Sequence, residues 1–157
     1  MQGLLCYLTA VAAMVIAASV PGADKPPNLS GKWTLDKTRS EFARGAPDSL
    51  MAAITDDGKK IHMVQTVGGP EGNRTTELNF DRGAETVNHM GDTEMRTKLR
   101  QDGAKLLEDT TFTGPRGTLT RKSIITLSED GRTLTLDAGY ESPDGAFREK
   151  IVLDKVE

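Results

Sequence analysis

Hydrophobic and polar residues take turns along most of this chain, most clearly in its C-terminal third, from Lys105 to Val156. Leu134, Leu136, Ala138 and Tyr140 share one parity, and Thr133, Thr135, Asp137 and Gly139 share the other. Phe147, Glu149, Ile151 and Leu153 alternate in the same way with Arg148, Lys150, Val152 and Asp154. A period of two is the mark of a strand with one face on a core and the other in water. Asp130-Gly131 and Asp144-Gly145 punctuate these runs. Both residue types tolerate the backbone angles of tight hairpin turns, so this third reads as antiparallel strands in a meander.

The preceding residues extend the pattern. A first strand is expected over Gly31 to Asp36, with Trp33 and Leu35 on one face. Lys37 to Ser49 breaks the alternation, with Gly45 and Pro47 as breakers; a two-turn helix would fit but is not demanded. We read it as a loop crossing one end of the domain, anchored by Phe42. Further strands are expected over Leu50–Thr55, Lys60–Val67, Arg74–Phe80, Glu85–His89, Thr93–Arg100, Lys105–Phe112 and Thr118–Leu127. Many short strands joined by turns point to an all-β sandwich or barrel. A long meander leaves two exposed edges unless it closes on itself, so the expected fold is an up-and-down antiparallel β-barrel of about 8–10 strands.

Composition removes several classes of function. The 157 residues carry a net charge of −3 with the basic residues scattered, and only 4% are aromatic. Neither the positive patch nor the stacking platform of a nucleic-acid binder is present. Leu4 to Val20 is the one long apolar run and is followed by Pro21-Gly22. It suits a secretory signal over residues 1–22, although no Lys or Arg precedes it. An uncleaved anchor is the alternative. Residues 23–28 then form a linker and 29–157 the barrel domain, in the periplasm or outside the cell. Cys6 is the only cysteine and lies in the signal segment, so the mature chain has no disulfide and no thiolate nucleophile.

Leu29-Ser30-Gly31-Lys32-Trp33-Thr34-Leu35 resembles the Gly-x-Trp opening strand of the lipocalin and fatty-acid-binding-protein-like (calycin) superfamily. Extended through Asp36 to Ser40-Glu41-Phe42, the string is similar to small secreted lipocalin-like bacterial proteins of unknown function. Ile151 to Lys155 is similar in shape to the closing strand of fatty-acid-binding proteins. The resemblance implies a barrel with an internal cavity for a small apolar ligand, with Trp33 packed structurally across its bottom. Fatty-acid-binding proteins hold a carboxylate with Arg and Tyr two residues apart on the closing strand. The matching positions here are Ile151 and Leu153, so that anchor is missing.

Three charges fall on otherwise apolar parities: Glu108 with Leu106 and Phe112, Arg121 with Leu119 and Ile125, and Glu149 with Phe147 and Ile151. If parity holds they point inward, where they pair with each other, meet water or hold the polar end of a ligand. A barrel-mouth position or one β-bulge would turn them outward instead. The expected lining is Met63, Phe80, Met95, Leu99, Phe112, Ile125, Leu136, Tyr140 and Ile151, with Arg121 as the polar anchor. Met51, Met63, Met90 and Met95 fill a core or soften a pocket. His62 and His89 lack metal-ligand spacing, no nucleophile motif or phosphate loop occurs, and Glu108 and Asp109 face opposite ways on one strand.

The expected function is therefore non-enzymatic: binding or transport of a small, partly apolar ligand in the cell envelope, with no cofactor and no metal. The alternative is an envelope protein–protein interaction or inhibitor-like module with a packed barrel. The expected partner is a hydrophobic or amphipathic molecule and not nucleic acid. Membrane association is expected only through an uncleaved N-terminal segment. The expected state is a monomer or weak homodimer.

Overall fold

Alternation over this many short runs produces strands and nothing else. The computed structural model, which describes residues 25–156, contains ten of them and no helix among the described residues. They are β1 (Gly31–Leu35), β2 (Ser49–Asp56), β3 (Lys60–Gly69), β4 (Gly72–Asp81), β5 (Thr86–Met90), β6 (Thr93–Asp102), β7 (Lys105–Gly114), β8 (Gly117–Leu127), β9 (Thr133–Ser142) and β10 (Gly145–Val156). The expected signal segment, with Cys6, and the first linker residues lie outside the described residues. All pairings are antiparallel, and the order β4-β3-β2-β1-β10-β9-β8-β7-β6-β5 joins the first strand to the last. The result is an up-and-down ring with one seam, between β4 and β5.

Turn chemistry sets the register. At Asp57-Gly58 the glycine takes φ 87°, and the Asp57 carboxylate accepts from the amides of Lys59 (2.8 Å) and Lys60 (2.7 Å). At Asp130-Gly131 the glycine takes φ 69°, and Asp130 accepts from the Arg132 amide at 3.0 Å. With the turns fixed, one parity of every strand goes inward. In cross-strand register, Ile151 faces Leu136, Leu136 faces Ile125, and Ile125 faces Leu106. On β2 the inner face belongs to Leu50, Ala52 and Ile54. Met51 consequently points out and is 53% exposed, which corrects its assignment as a core or pocket methionine.

One end of the ring is sealed. Trp33 is fully buried against Leu29, Ala52, Ile54, Ile61, Leu106, Leu134 and Leu153. Its Nε1–H donates to the Leu29 carbonyl at 3.0 Å, and Lys155 Nζ lies 5.3 Å from its ring centroid. Beneath it Asp56 accepts from the Leu29 amide (2.9 Å), the Gly58 amide (2.9 Å) and Arg82 Nη2 (2.5 Å). Arg82 also donates to the Pro27 carbonyl at 2.9 Å, tying the residues just before β1 to the floor.

Residues 36–48 run as a strap along β10 toward the other end. The Asp36 amide donates to Val152 O, and Glu41 and Lys150 exchange backbone hydrogen bonds of 2.7 and 2.9 Å. Arg39 sits between Asp36 and Asp154 at 2.5 Å from each. Hydrogen bonds from Thr38 and then Arg39 hold the Asp36 carboxyl well below the usual carboxylate range. Phe42, the expected anchor, is half-buried, and the Arg44 guanidinium lies 4.4 Å from the Phe147 centroid.

At the seam, side chains replace the backbone ladder. The Asn88 Oδ1 accepts from the Asn79 amide at 2.8 Å, and its Nδ2–H donates to the Asn79 carbonyl at 2.8 Å. One buried primary amide thus answers both groups that a neighbouring strand would have satisfied. The connection from β4 to β5 is drawn away from the seam because the Arg82 amide bonds Lys59 O and its side chain reaches Asp56. We expect Asn88→Ala to destabilise the fold by about 1–3 kcal/mol, the cost of orphaning buried polar groups. Urea denaturation measures the loss, and hydrogen exchange should accelerate at the Asn79 amide ahead of the β7–β8 ladder.

Candidate functional site

Parity is kept through β7 and β8, so the charged residues of the inner face do point inward. Three rungs of paired residues cross the wall from β6 to β10. The upper rung is Thr97, Thr110, Arg121, Tyr140 and Phe147; the middle is Leu99, Glu108, Ser123, Ala138 and Glu149; the lower runs from Leu106 through Ile125 and Leu136 to Ile151. A polar band therefore lies inside the barrel, above an apolar one.

Arg121 is not a lone anchor. Its Nη2 donates to Glu108 Oε1, and the Thr110 hydroxyl donates to the same oxygen at 2.6 Å. Thr110 in turn shares a hydrogen bond of 3.0 Å with Thr97. Glu108, Thr110, Thr97 and Ser123 are all at most 5% exposed. The guanidinium lies 5.2 Å from the Phe112 centroid. Its Nε and the Ser123 Oγ are buried with no partner among the described residues. Burial pulls the Arg121 guanidinium down, but Glu108 and Tyr140 outweigh it and leave the group above its ordinary value. Burial pushes the Tyr140 phenol up, Arg121 draws it part of the way back, and Glu149 and Glu108 add to the rise.

The expected lining divides in two. Met63, Phe80, Leu99, Ile125 and Ile151 are half-buried and rest on the floor cluster around Trp33. Phe112, Arg121, Leu136 and Tyr140 are also half-buried inner-face residues of the β7–β9 wall, whereas Met95, facing Phe112, is packed away at 2% exposure. Sequence reasoning did not single out Thr97, Thr110 or Ser123, which share the inner parity of their strands and could have been found by it. It also missed the Tyr140–Phe147 stack, with centroids 4.5 Å apart and rings within 6° of parallel, because stacking depends on cross-strand register. His62 and His89 stay on the outer parity, where His62 Nδ1 bonds Asn79 Oδ1 at 3.0 Å. No group of His, Cys, Asp or Glu among the described residues is arranged to hold a metal ion.

Two hollows mark the outer surface. One of about 630 Å³ crosses β6 to β10, walled by Arg100, Lys122 and Arg148 and by Asp109, Asp137 and Glu141, and it also touches Glu108, Ser123, Tyr140 and Phe147 of the inner parity. A smaller one of about 360 Å³ lies between the strap and Thr133, Thr135 and Val152. The alternating signs in the larger hollow leave no single-sign field to steer a charged ligand.

No family model and no curated protein sequence matches the chain. Solved structures do match. A secretory abundant heat soluble (SAHS) protein of Ramazzottius varieornatus, from a dimer sample, superposes with a TM-score of 0.58 at 18% identity, over 81% of this chain and 94% of its own. Zebrafish ileal bile acid-binding protein, complexed with cholic acid, gives 0.57 at 19% identity over 81% and 98%. Secretory abundant heat soluble protein 4 of R. varieornatus gives 0.57 at 17% identity over 83% and 96%. The protein is thus an all-β, nearly closed ten-stranded antiparallel barrel. Its fold is similar to those of the bile acid-binding and SAHS proteins.

Removing one partner of a buried ion pair strands the other, at roughly 3–5 kcal/mol. Arg121→Met and Glu108→Leu should each fall near the lower figure in urea denaturation. The double variant should cost clearly less than their sum. A second expectation concerns pH. Because the folded-state pKa of Tyr140 lies above its ordinary 10.0, the unfolded chain loses this proton first as pH rises. The phenol's contribution to stability is therefore complete below pH 10 and declines above it. Tyr140→Phe should show a shallower alkaline loss of stability than the parent over that range.

Proposed function

We propose that the protein binds a small, partly apolar molecule inside the barrel and performs no chemistry on it. The observation that carries this reading is the incomplete burial of inner-face side chains. Phe112, Leu136, Tyr140, Ile151 and their neighbours face inward yet are not sealed, while the Trp33 end is. An interior packed solid throughout would bury them as it buries Trp33 and Leu106. Apolar walls around a small polar cluster are the ordinary composition of a ligand site. The neighbouring structure of a bile acid-binding protein holding cholic acid supports the same use of this fold. The reading includes export to the periplasm or beyond, supported by the apolar run from Leu4 to Val20.

A second reading, a module that docks a protein, draws on the charge-mixed outer hollow of β6–β10. Uptake of a neutral solvatochromic dye by the purified chain, reversed by decanol, is the outcome the carrier reading requires. A folded protein that takes up no dye selects the docking module instead.

A further inference from the structure

Inward charge is the feature that bears on what kind of head group the barrel takes. On the β7–β10 part of the wall, above the floor, the inner-face charges are Glu108, Arg121 and Glu149; Arg74, on the inner parity of β4, is exposed. Arg121 is already committed to Glu108, whose oxygen is further engaged by Thr110. Glu149 forms no ion pair or hydrogen bond among the described residues and is only half-buried. Its influence is felt at Tyr140, one rung above. On the same rung, one strand beyond Ala138, the Ser123 hydroxyl is 3% exposed and lacks a partner, so a second acceptor faces the same interior.

A carboxylate head entering this band would meet two like charges and would have to take Arg121 from Glu108. A protonated amine meets an unclaimed carboxylate and loses nothing. We propose that the ligand is an amphiphile with a cationic amine head set against Glu149, its chain lying on the lower apolar rung of Ile125, Leu136 and Ile151. This assignment rests on the carrier reading above. It is independent of the missing closing-strand anchor at Ile151 and Leu153, which only shows that a carboxylate is not held there.

The test displaces a neutral dye from the full chain with decylamine, decanoate and decanol, each below its micelle concentration. The parent, Glu149→Gln and Glu149→Asp are compared. Decylamine should displace at a concentration at least about tenfold lower than decanoate, the scale of a charge-assisted hydrogen bond. Glu149→Gln should bring that ratio close to one while leaving decanol unchanged, and Glu149→Asp should retain it. Decanoate displacing as well as decylamine from the parent, or a ratio untouched by Glu149→Gln, overturns the head-group assignment alone. Failure of all three probes, decanol included, overturns the carrier reading itself.

Discussion

A ring of strands has only one inside, and every second residue must go there. Polar groups that arrive by this rule must find each other, because water cannot satisfy them fully. Two ion pairs meet the requirement in different ways. Asp56 and Arg82 sit under Trp33, and the aspartate also accepts from the backbone amides of Leu29 and Gly58. That pair knits together the approach to β1, the β2–β3 turn and the β4–β5 connection. Glu108 and Arg121 lie higher and are held by each other and by the Thr110 hydroxyl, a side chain of β7 itself. The first fixes backbone and builds the floor. The second leaves the backbone free and shapes the interior.

The ring yields where that floor demands it. Drawing Arg82 under Trp33 takes the β4–β5 connection out of hairpin geometry, and the ladder opens between two strands adjacent in sequence. Asn88 compensates with a side chain that imitates a peptide group. At the other end no helix lies between β1 and β2. A strap of irregular chain takes its place, held by Arg39 between two aspartates and by Arg44 over Phe147. Inner side chains at that end are therefore less sealed than those at the floor, which leaves the barrel closed at the Trp33 end.

The fold tolerates wide change in sequence. The barrel is shared with proteins of 17–19% identity, so the strand framework survives replacement of most side chains. On the β7–β10 wall of this chain, Glu108 and Arg121 offset one another, and Glu149 remains. Fold alone does not settle function, and the site must be argued from such residues.

Much of this was readable from the chain alone. Alternation and Asp-Gly turns pointed to the strands and their antiparallel order, because side-chain direction in a strand has a period of two, but the facing of Glu108, Arg121 and Glu149 stayed open until the structure showed no bulge to reverse it. Trp33 could be placed at the bottom from its motif. Which inner residues meet was not readable, since that depends on register across strands far apart in the chain. Only the closed structure joined Arg121 to Glu108, stacked Tyr140 on Phe147, left Glu149 without a partner and turned Met51 to water. The physical reason is that local pattern says which way a side chain points, while its neighbour is set by closure of the whole ring.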